Sequence, residues 1–199
     1  MPMLESAMEE LLIRQLACDV SQWTYRPDIR TEDDLWQNLR EKLNAANIDR
    51  LQGVLLTDTE MAQVKDFICD QAQTTYKAAR WLAGEHRVAQ IPLTREDAKL
   101  GTVSLVAVNS REIAGGNSVY EVINQYRTPG DTGERDRRFD VTLLVNGLPM
   151  IHIELKNADH PYMDAYRQIK KYGEEGKFRG LMGLVQMFVV TNGAETRYI

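Results

Sequence analysis

The sequence predicts an α/β (α+β) fold: a mixed sheet flanked by helices and led by a helical N-terminal region. Three observations carry that prediction. Leucines recur at helical spacing early in the chain, strand alternation takes over after residue 90, and a further helix signal separates the last strands.

The elements follow in order. Leu4, Met8, Leu11, Leu12 and Leu16 fall on one face at helical spacing, and Leu35, Leu39 and Leu43 repeat the pattern. Thr57-Asp58-Thr59-Glu60 offers an N-cap before a further helix running towards Cys69. Thr102 to Asn109 and Ser118 to Tyr126 read as strands separated by Gly115-Gly116-Asn117, and a polar loop follows from Arg127 to Arg138. Phe139 to Val145, the turn signal Asn146-Gly147, and Leu148 to Lys156 make a hairpin. Pro161 precedes a helix through Tyr172, and Gly183 to Thr191 reads as another strand. Residues 1–90 are therefore expected to form a mainly helical part packed on a core made by residues 91–199.

Composition narrows the function. At 43% hydrophobic and 27% charged, the chain of 199 residues reads as an ordinary soluble globular protein of one large domain or one domain with a helical appendage. The acidic opening, Met1 to Glu10, lacks the basic region of a secretory signal, and Leu181 to Val190, broken by Gln186, falls far short of a membrane span. The expected setting is cytoplasmic, with no membrane partner. Cys18 and Cys69, without metal or redox spacing, are expected to be reduced, buried and structural. The net charge of −5 argues against strong autonomous binding to nucleic acid. Arg127 to Gly180 holds ten Lys/Arg against nine Asp/Glu, which leaves −6 for the rest of the chain. A DNA-handling role would therefore need something else to hold the DNA.

The chemistry-bearing constellation lies on the hairpin. Alternation puts Met150, His152, Glu154 and Lys156 on one face of its second strand, and Ile151, Ile153 and Leu155 on the other. An acid and a lysine on an otherwise apolar strand need each other, a metal or water, because unpaired burial is costly. Asp140 joins them in only one register. A two-residue Asn146-Gly147 turn places Asp140 opposite Ile153, whereas a three-residue loop, Asn146-Gly147-Leu148, places it across from Glu154. Pro149 already disturbs a simple ladder. Two carboxylates holding Mg²⁺ would stabilise charge on a phosphodiester and supply hydroxide at neutral pH, with the lysine neutralising the phosphate or orienting water.

The acid-x-Lys pattern alone is unspecific. Asp97-Ala98-Lys99 and Glu175-Gly176-Lys177 match it without strand alternation, and a surface ion pair worth about 0–1 kcal/mol explains Glu154 and Lys156 in isolation. Asp140, the hairpin and the following helix together favour a site. His152 reads as a satisfied structural histidine, His160 as turn chemistry, and Trp23, Trp36 and Trp81 as core. Arg167, Lys170 and Lys171 read as a charged outer helix face.

Arg138-Phe139-Asp140-Val141-Thr142, Asn146-Gly147-Leu148-Pro149 and Ile153-Glu154-Leu155-Lys156 strongly resemble the restriction (motor/nuclease) subunit of type I restriction–modification enzymes. That family carries a nuclease core of the PD-(D/E)xK class near its N-terminus. Gln168-Ile169-Lys170-Lys171-Tyr172 resembles its Q-x-x-x-Y motif, Thr191-Asn192-Gly193 to Thr196-Arg197-Tyr198 its closing segment, and Glu5-Ser6 and Glu9 its opening helix. The resemblance implies a restriction-endonuclease-like fold, Asp140 and Glu154 as Mg²⁺ ligands, and Lys156 as the catalytic lysine. It gives supporting or DNA-contacting roles to Gln168, Tyr172 and Glu9. Phe139 stands where the literal motif has proline.

It also implies cleavage of double-stranded DNA inside a complex with methyltransferase and specificity subunits. No G-x-x-x-x-G-K-[ST] occurs, so the chain reads as an N-terminal piece of a longer polypeptide whose motor would bind ATP. A non-catalytic DNA-clamping or docking module of the same fold, and a stand-alone repair-type nuclease, are the alternatives.

Overall fold

The computed structural model describes residues 4–18, 20–111, 116–128, 137–157, 159–176 and 178–199. Gly115 and most of the polar loop between Arg127 and Arg138 lie outside them. Four helices come early: α1 (Glu5–Leu16), α2 (Glu32–Ala46), α3 (Asp58–Gln71) and α4 (Thr75–Ala83), with a short strand β1 (Trp23–Tyr25) between the first two. Then come β2 (Val88–Thr94), β3 (Thr102–Asn109), β4 (Tyr120–Thr128), β5 (Arg137–Val145), β6 (Leu148–Leu155), α5 (Tyr162–Glu174), β7 (Met187–Thr191) and β8 (Thr196–Tyr198).

Six strands form one mixed sheet in the order β1-β4-β5-β6-β7-β8, and β2 and β3 pair separately. β4, β5 and β6 form an antiparallel meander; β1 lies parallel to β4 and β7 parallel to β6. This is the expected mixed α/β class.

Strand alternation sorts the sheet into two faces. Val141, Leu143, Ile153 and Leu155 point to a smaller core completed by Ile13 of α1. The other face joins a larger core with α2, α3 and α4. Leu35, Leu39 and Leu43 supply the α2 stripe at 0–2% exposure, as their spacing requires. Thr31 and Thr57 start α2 and α3 with capping boxes completed by Asp34 and Glu60, so each helix begins where a side chain satisfies its free N–H groups.

Several expectations shift. Of the expected α1 stripe, Met8 is buried and Leu12 and Leu16 pack half-buried on the smaller core, but Leu4 and Leu11 are exposed, because the helix turns Glu9 and Ile13 inwards. Cys18 and Cys69 are exposed rather than buried. Cys69 follows Ile68, the last buried residue of the α3 stripe, and so turns outwards. Residues 183–186 are not strand. Gly180–Leu184 is a 3-10 turn that buries Leu181, Met182 and Leu184, and an apolar run without alternation serves either state. Among the described residues no helix is long and apolar enough to cross a membrane.

Candidate active site

The site is set by the hairpin of β5 and β6. Asn146 and Gly147 both have positive φ, 53° and 80°, which makes a two-residue turn of the type that matches strand twist. Val145 pairs with Leu148 and Leu144 with Pro149; then the register shifts, and Leu143 pairs with Ile151, Thr142 with His152 and Val141 with Ile153. Met150 is the extra residue. Sequence reasoning offered a three-residue loop as the way to bring Asp140 across from Glu154. The turn has two residues, and a bulge beside Pro149 supplies the offset instead. Continued one step, the ladder puts Asp140 opposite Glu154, and Asp140 Oδ2 accepts the Leu155 N–H at 2.8 Å.

The ladder on the other side of β5 is also disturbed. Asn124 pairs with Val141 and Tyr126 with Phe139, and between them Gln125 adopts φ +52° across from Asp140. A side chain in this left-handed region stores strain. Here it turns Gln125 towards α1, where its amide donates to Glu9 Oε2 at 2.6 Å while Asn124 donates to Glu9 Oε1. Glu9 is thereby fixed at the rim of a groove of about 1180 Å³ that also takes in Glu5, Asp140, Arg138, Arg14 and Tyr172.

Lys156 follows β6. Its ammonium donates to the Leu155 carbonyl at 3.0 Å and lies 3.8 Å from both Glu154 Oε1 and Glu5 Oε1. Glu5 is seated by a reciprocal pair: its N–H donates to Asn157 Oδ1 at 2.7 Å, and its carboxylate accepts the Asn157 N–H at 3.2 Å. Gln168 and Tyr172 meet on α5, the Gln168 amide donating to the Tyr172 hydroxyl. Tyr172 reaches the Arg138 carbonyl at 3.4 Å and packs edge-on against Phe139, next to Asp140. Of the sequence candidates, Asp140, Glu154 and Lys156 converge, Glu9 and Tyr172 line the groove, and Gln168 stands behind Tyr172.

The family model described as the type I restriction enzyme R protein N terminus matches residues 2–199. The chain belongs to that family. A type I restriction enzyme endonuclease subunit of Staphylococcus aureus is 33% identical over 195 residues, 98% of this chain and 19% of its own length. One from Staphylococcus saprophyticus is 33% identical over 171 residues, 86% of this chain and 17% of its own. The EcoprrI endonuclease subunit of Escherichia coli is 29% identical over 200 residues, covering 98% and 58%. The chain thus spans under a fifth of the length of the staphylococcal relatives.

In this R-protein N-terminal chain the acids are electrostatically frustrated. Burial pushes the Glu154 carboxyl up to about 8, against the pull of Lys156 and with Glu5 adding repulsion. Burial and the neighbouring Glu154 push Asp140 up to about 7, although the Leu155 N–H favours its charged form. Glu154 is fully buried, its Oε2 faces His152 Nε2 at 3.1 Å, and its Oε1 has no hydrogen-bond partner. At 3.8 Å the Lys156 ammonium is too far for a hydrogen bond to that oxygen. An orphaned buried carboxylate oxygen opposite a second acid fits a hard divalent cation. Among the described residues no group of three or more His, Cys, Asp or Glu is placed to hold an ion.

Sequence reasoning placed Glu5 in the opening-helix motif without a site role, and it missed Asn124, Gln125 and Asn157. Glu5 had a signal, since it stands four residues before Glu9 and shares its helix face. Gln125 had none.

Proposed function

We propose that this chain is the Mg²⁺-dependent endonuclease domain of a type I restriction R protein and that it cleaves double-stranded DNA. The observation that carries the reading is the bulged register, which sets Asp140 across from Glu154 with Lys156 two residues on. Asp140 and Glu154 would hold the ion. Bound there, it would act as a Lewis acid on the phosphate and lower the pKa of water.

The chain's own residues do the rest. Lys156 stands beside Glu154, where its charge can offset a phosphate oxygen or orient the attacking water. Arg14 and Arg138 are the groove's cations and suit phosphate contacts that position without reading sequence. Tyr172, buttressed by Gln168, fixes the β5 backbone at Arg138 and so the aim of Asp140. Glu9 acts on Asn124 and Gln125 as a support for the strand opposite Asp140.

Four acids of the groove, Glu5, Glu9, Glu10 and Asp140, outnumber Arg14 and Arg138. A phosphate backbone is repelled there until cations arrive, so other parts of the complex must deliver the DNA. The partners that follow are the methyltransferase and specificity subunits of a cytoplasmic restriction complex, with ATP bound by the remainder of the R protein.

The test is Asp140→Ala, made in this chain and in the full-length R protein. Mn²⁺ titration by calorimetry on the folded chain should lose its binding isotherm, and the assembled complex should translocate DNA without cutting it. Unchanged cleavage by the assembled variant would overturn the reading in favour of a docking module.

A further inference from the structure

His152 is one of the most completely enclosed polar side chains in the protein, at 0% exposure, and the chemistry above leaves it no task. It sits across the ladder from Thr142 and two residues before Glu154 on the same face. Its Nδ1 lies 3.2 Å from Thr142 Oγ1 and its Nε2 3.1 Å from Glu154 Oε2. Phe139, Phe178 and Phe188 surround the ring, with centroids 4.9, 5.9 and 6.3 Å away.

Hydrogen-bond accounting leaves one arrangement for an ionised Glu154. A carboxylate only accepts, so Nε2 must carry the proton and donate to Oε2. Nδ1 is then the acceptor, and the Thr142 hydroxyl, which can rotate to donate, must supply the hydrogen. The ring, at 0% exposure among the three phenylalanines, is closed off from bulk water. The result is a fixed relay, Thr142 to His152 to Glu154, that ties down one carboxylate oxygen and leaves the other, Oε1, without a hydrogen bond and with the Lys156 ammonium 3.8 Å away.

We infer that His152 is a positioning residue. As the Nε2–H tautomer that an ionised Glu154 requires, with Nδ1 satisfied by the Thr142 hydroxyl, it locks Glu154 so that Oε1 is presented to the divalent cation. This rests on the metal-binding reading above. A purely structural histidine would contribute packing and stability, would be indifferent to tautomer, and would leave cation affinity alone.

The experiment uses this chain with His152→Leu, which keeps apolar volume and removes the donor, and His152→Gln, whose amide nitrogen reaches the place of Nε2. Mn²⁺ affinity is measured by calorimetry with folding checked by circular dichroism, and the His152 ring tautomer is read by nitrogen NMR in the metal-free wild type at pH 9. Losing a partner of this kind costs a metal site about 10–100-fold. The leucine variant should therefore bind Mn²⁺ at least about tenfold more weakly, the glutamine variant should recover most of the loss, and the ring should be protonated at Nε2. If the leucine variant does not fold, Thr142→Val substitutes for it: removing the hydroxyl should weaken Mn²⁺ binding and mix the tautomers. Wild-type affinity in a folded leucine or valine variant, or a ring protonated at Nδ1, overturns the inference. A wild type that binds no Mn²⁺ sinks the metal reading itself, and the tautomer still decides for or against the relay.

Discussion

Replacing Glu154 with glutamine should make the metal-free protein more stable at alkaline pH. The carboxyl is fully buried and displaced from 4.5 to about 8. Its folded pKa lies above its unfolded one, so the folded state holds the proton more tightly. The stability this group provides is present in full below pH 4.5 and is lost as pH rises through 8. At about 1.4 kcal/mol per pKa unit, the loss reaches roughly 4–5 kcal/mol above pH 8. Glutamine of the same shape escapes that loss. The pull of Lys156 is already contained in that value, and the buried glutamine amide costs about 1 kcal/mol where it lacks a partner. The variant should exceed the wild type by roughly 2–4 kcal/mol at pH 9 and match it near pH 5. Urea unfolding at pH 5, 7 and 9 with chelator measures the difference, in which every titration uncoupled from Glu154 cancels; Asp140, relieved of the Glu154 charge, adds to the variant's gain. Saturating Mn²⁺ should then close the gap by stabilising only the wild type. A variant less stable than wild type at pH 9, or a difference that does not grow with pH, would refute the claim that Glu154 is held at a cost.

Lys156→Met keeps the aliphatic stem and removes the charge. It should lower single-turnover plasmid cleavage by the assembled complex about 10²–10³-fold while the chain's unfolding midpoint barely moves. Arg95→Leu should destabilise the chain by about 3–5 kcal/mol in urea melts. Arg95 donates to Glu60 at 2.7 Å in a pair 1–2% exposed and also to the Leu51 and Val54 carbonyls, so its loss leaves a buried carboxylate alone. Adding Glu60→Gln to that variant should recover part of the loss. Gly147→Ala forces a side chain into φ +80°, 3.0 Å from the Leu39 Cα, and should cost about 1–3 kcal/mol by thermal melting.

What the sequence made legible was whatever local periodicity encodes. The stripe Leu35-Leu39-Leu43, the Thr57 cap and the alternation of Ile151, Ile153 and Leu155 each follow from backbone geometry over a few residues. The candidates Glu154 and Lys156 were readable as an acid and a lysine on an apolar strand, and Asp140 entered through the hairpin and the family resemblance. β1 was not readable, since three residues owe their strand state to a partner near Tyr120, far along the chain. β2 straddles the end of the stretch read as helical, residues 1–90, and a segment given no element, with Pro92 breaking its pattern. Nothing marks Met150 as a bulge or Gln125 as left-handed; both depend on how neighbouring strands twist past each other. Glu5 and Asn157 meet only because the sheet brings residues 152 apart together.

That separation bears on how the protein is made. The polar bonds that fasten α1 to the sheet reach forward 115, 116 and 152 residues, to Asn124, Gln125 and Asn157. α1 is therefore made long before the residues that seat it. At typical translation speeds it waits roughly 8–30 s for β4 and β6 to emerge. Until then Leu12 and Ile13 have no partner surface and invite a chaperone's hold, and Glu5 has no lysine to face. The groove closes around its acids only once synthesis has passed Asn157, so a nascent product that stops short of it carries the ingredients of the site without its assembly.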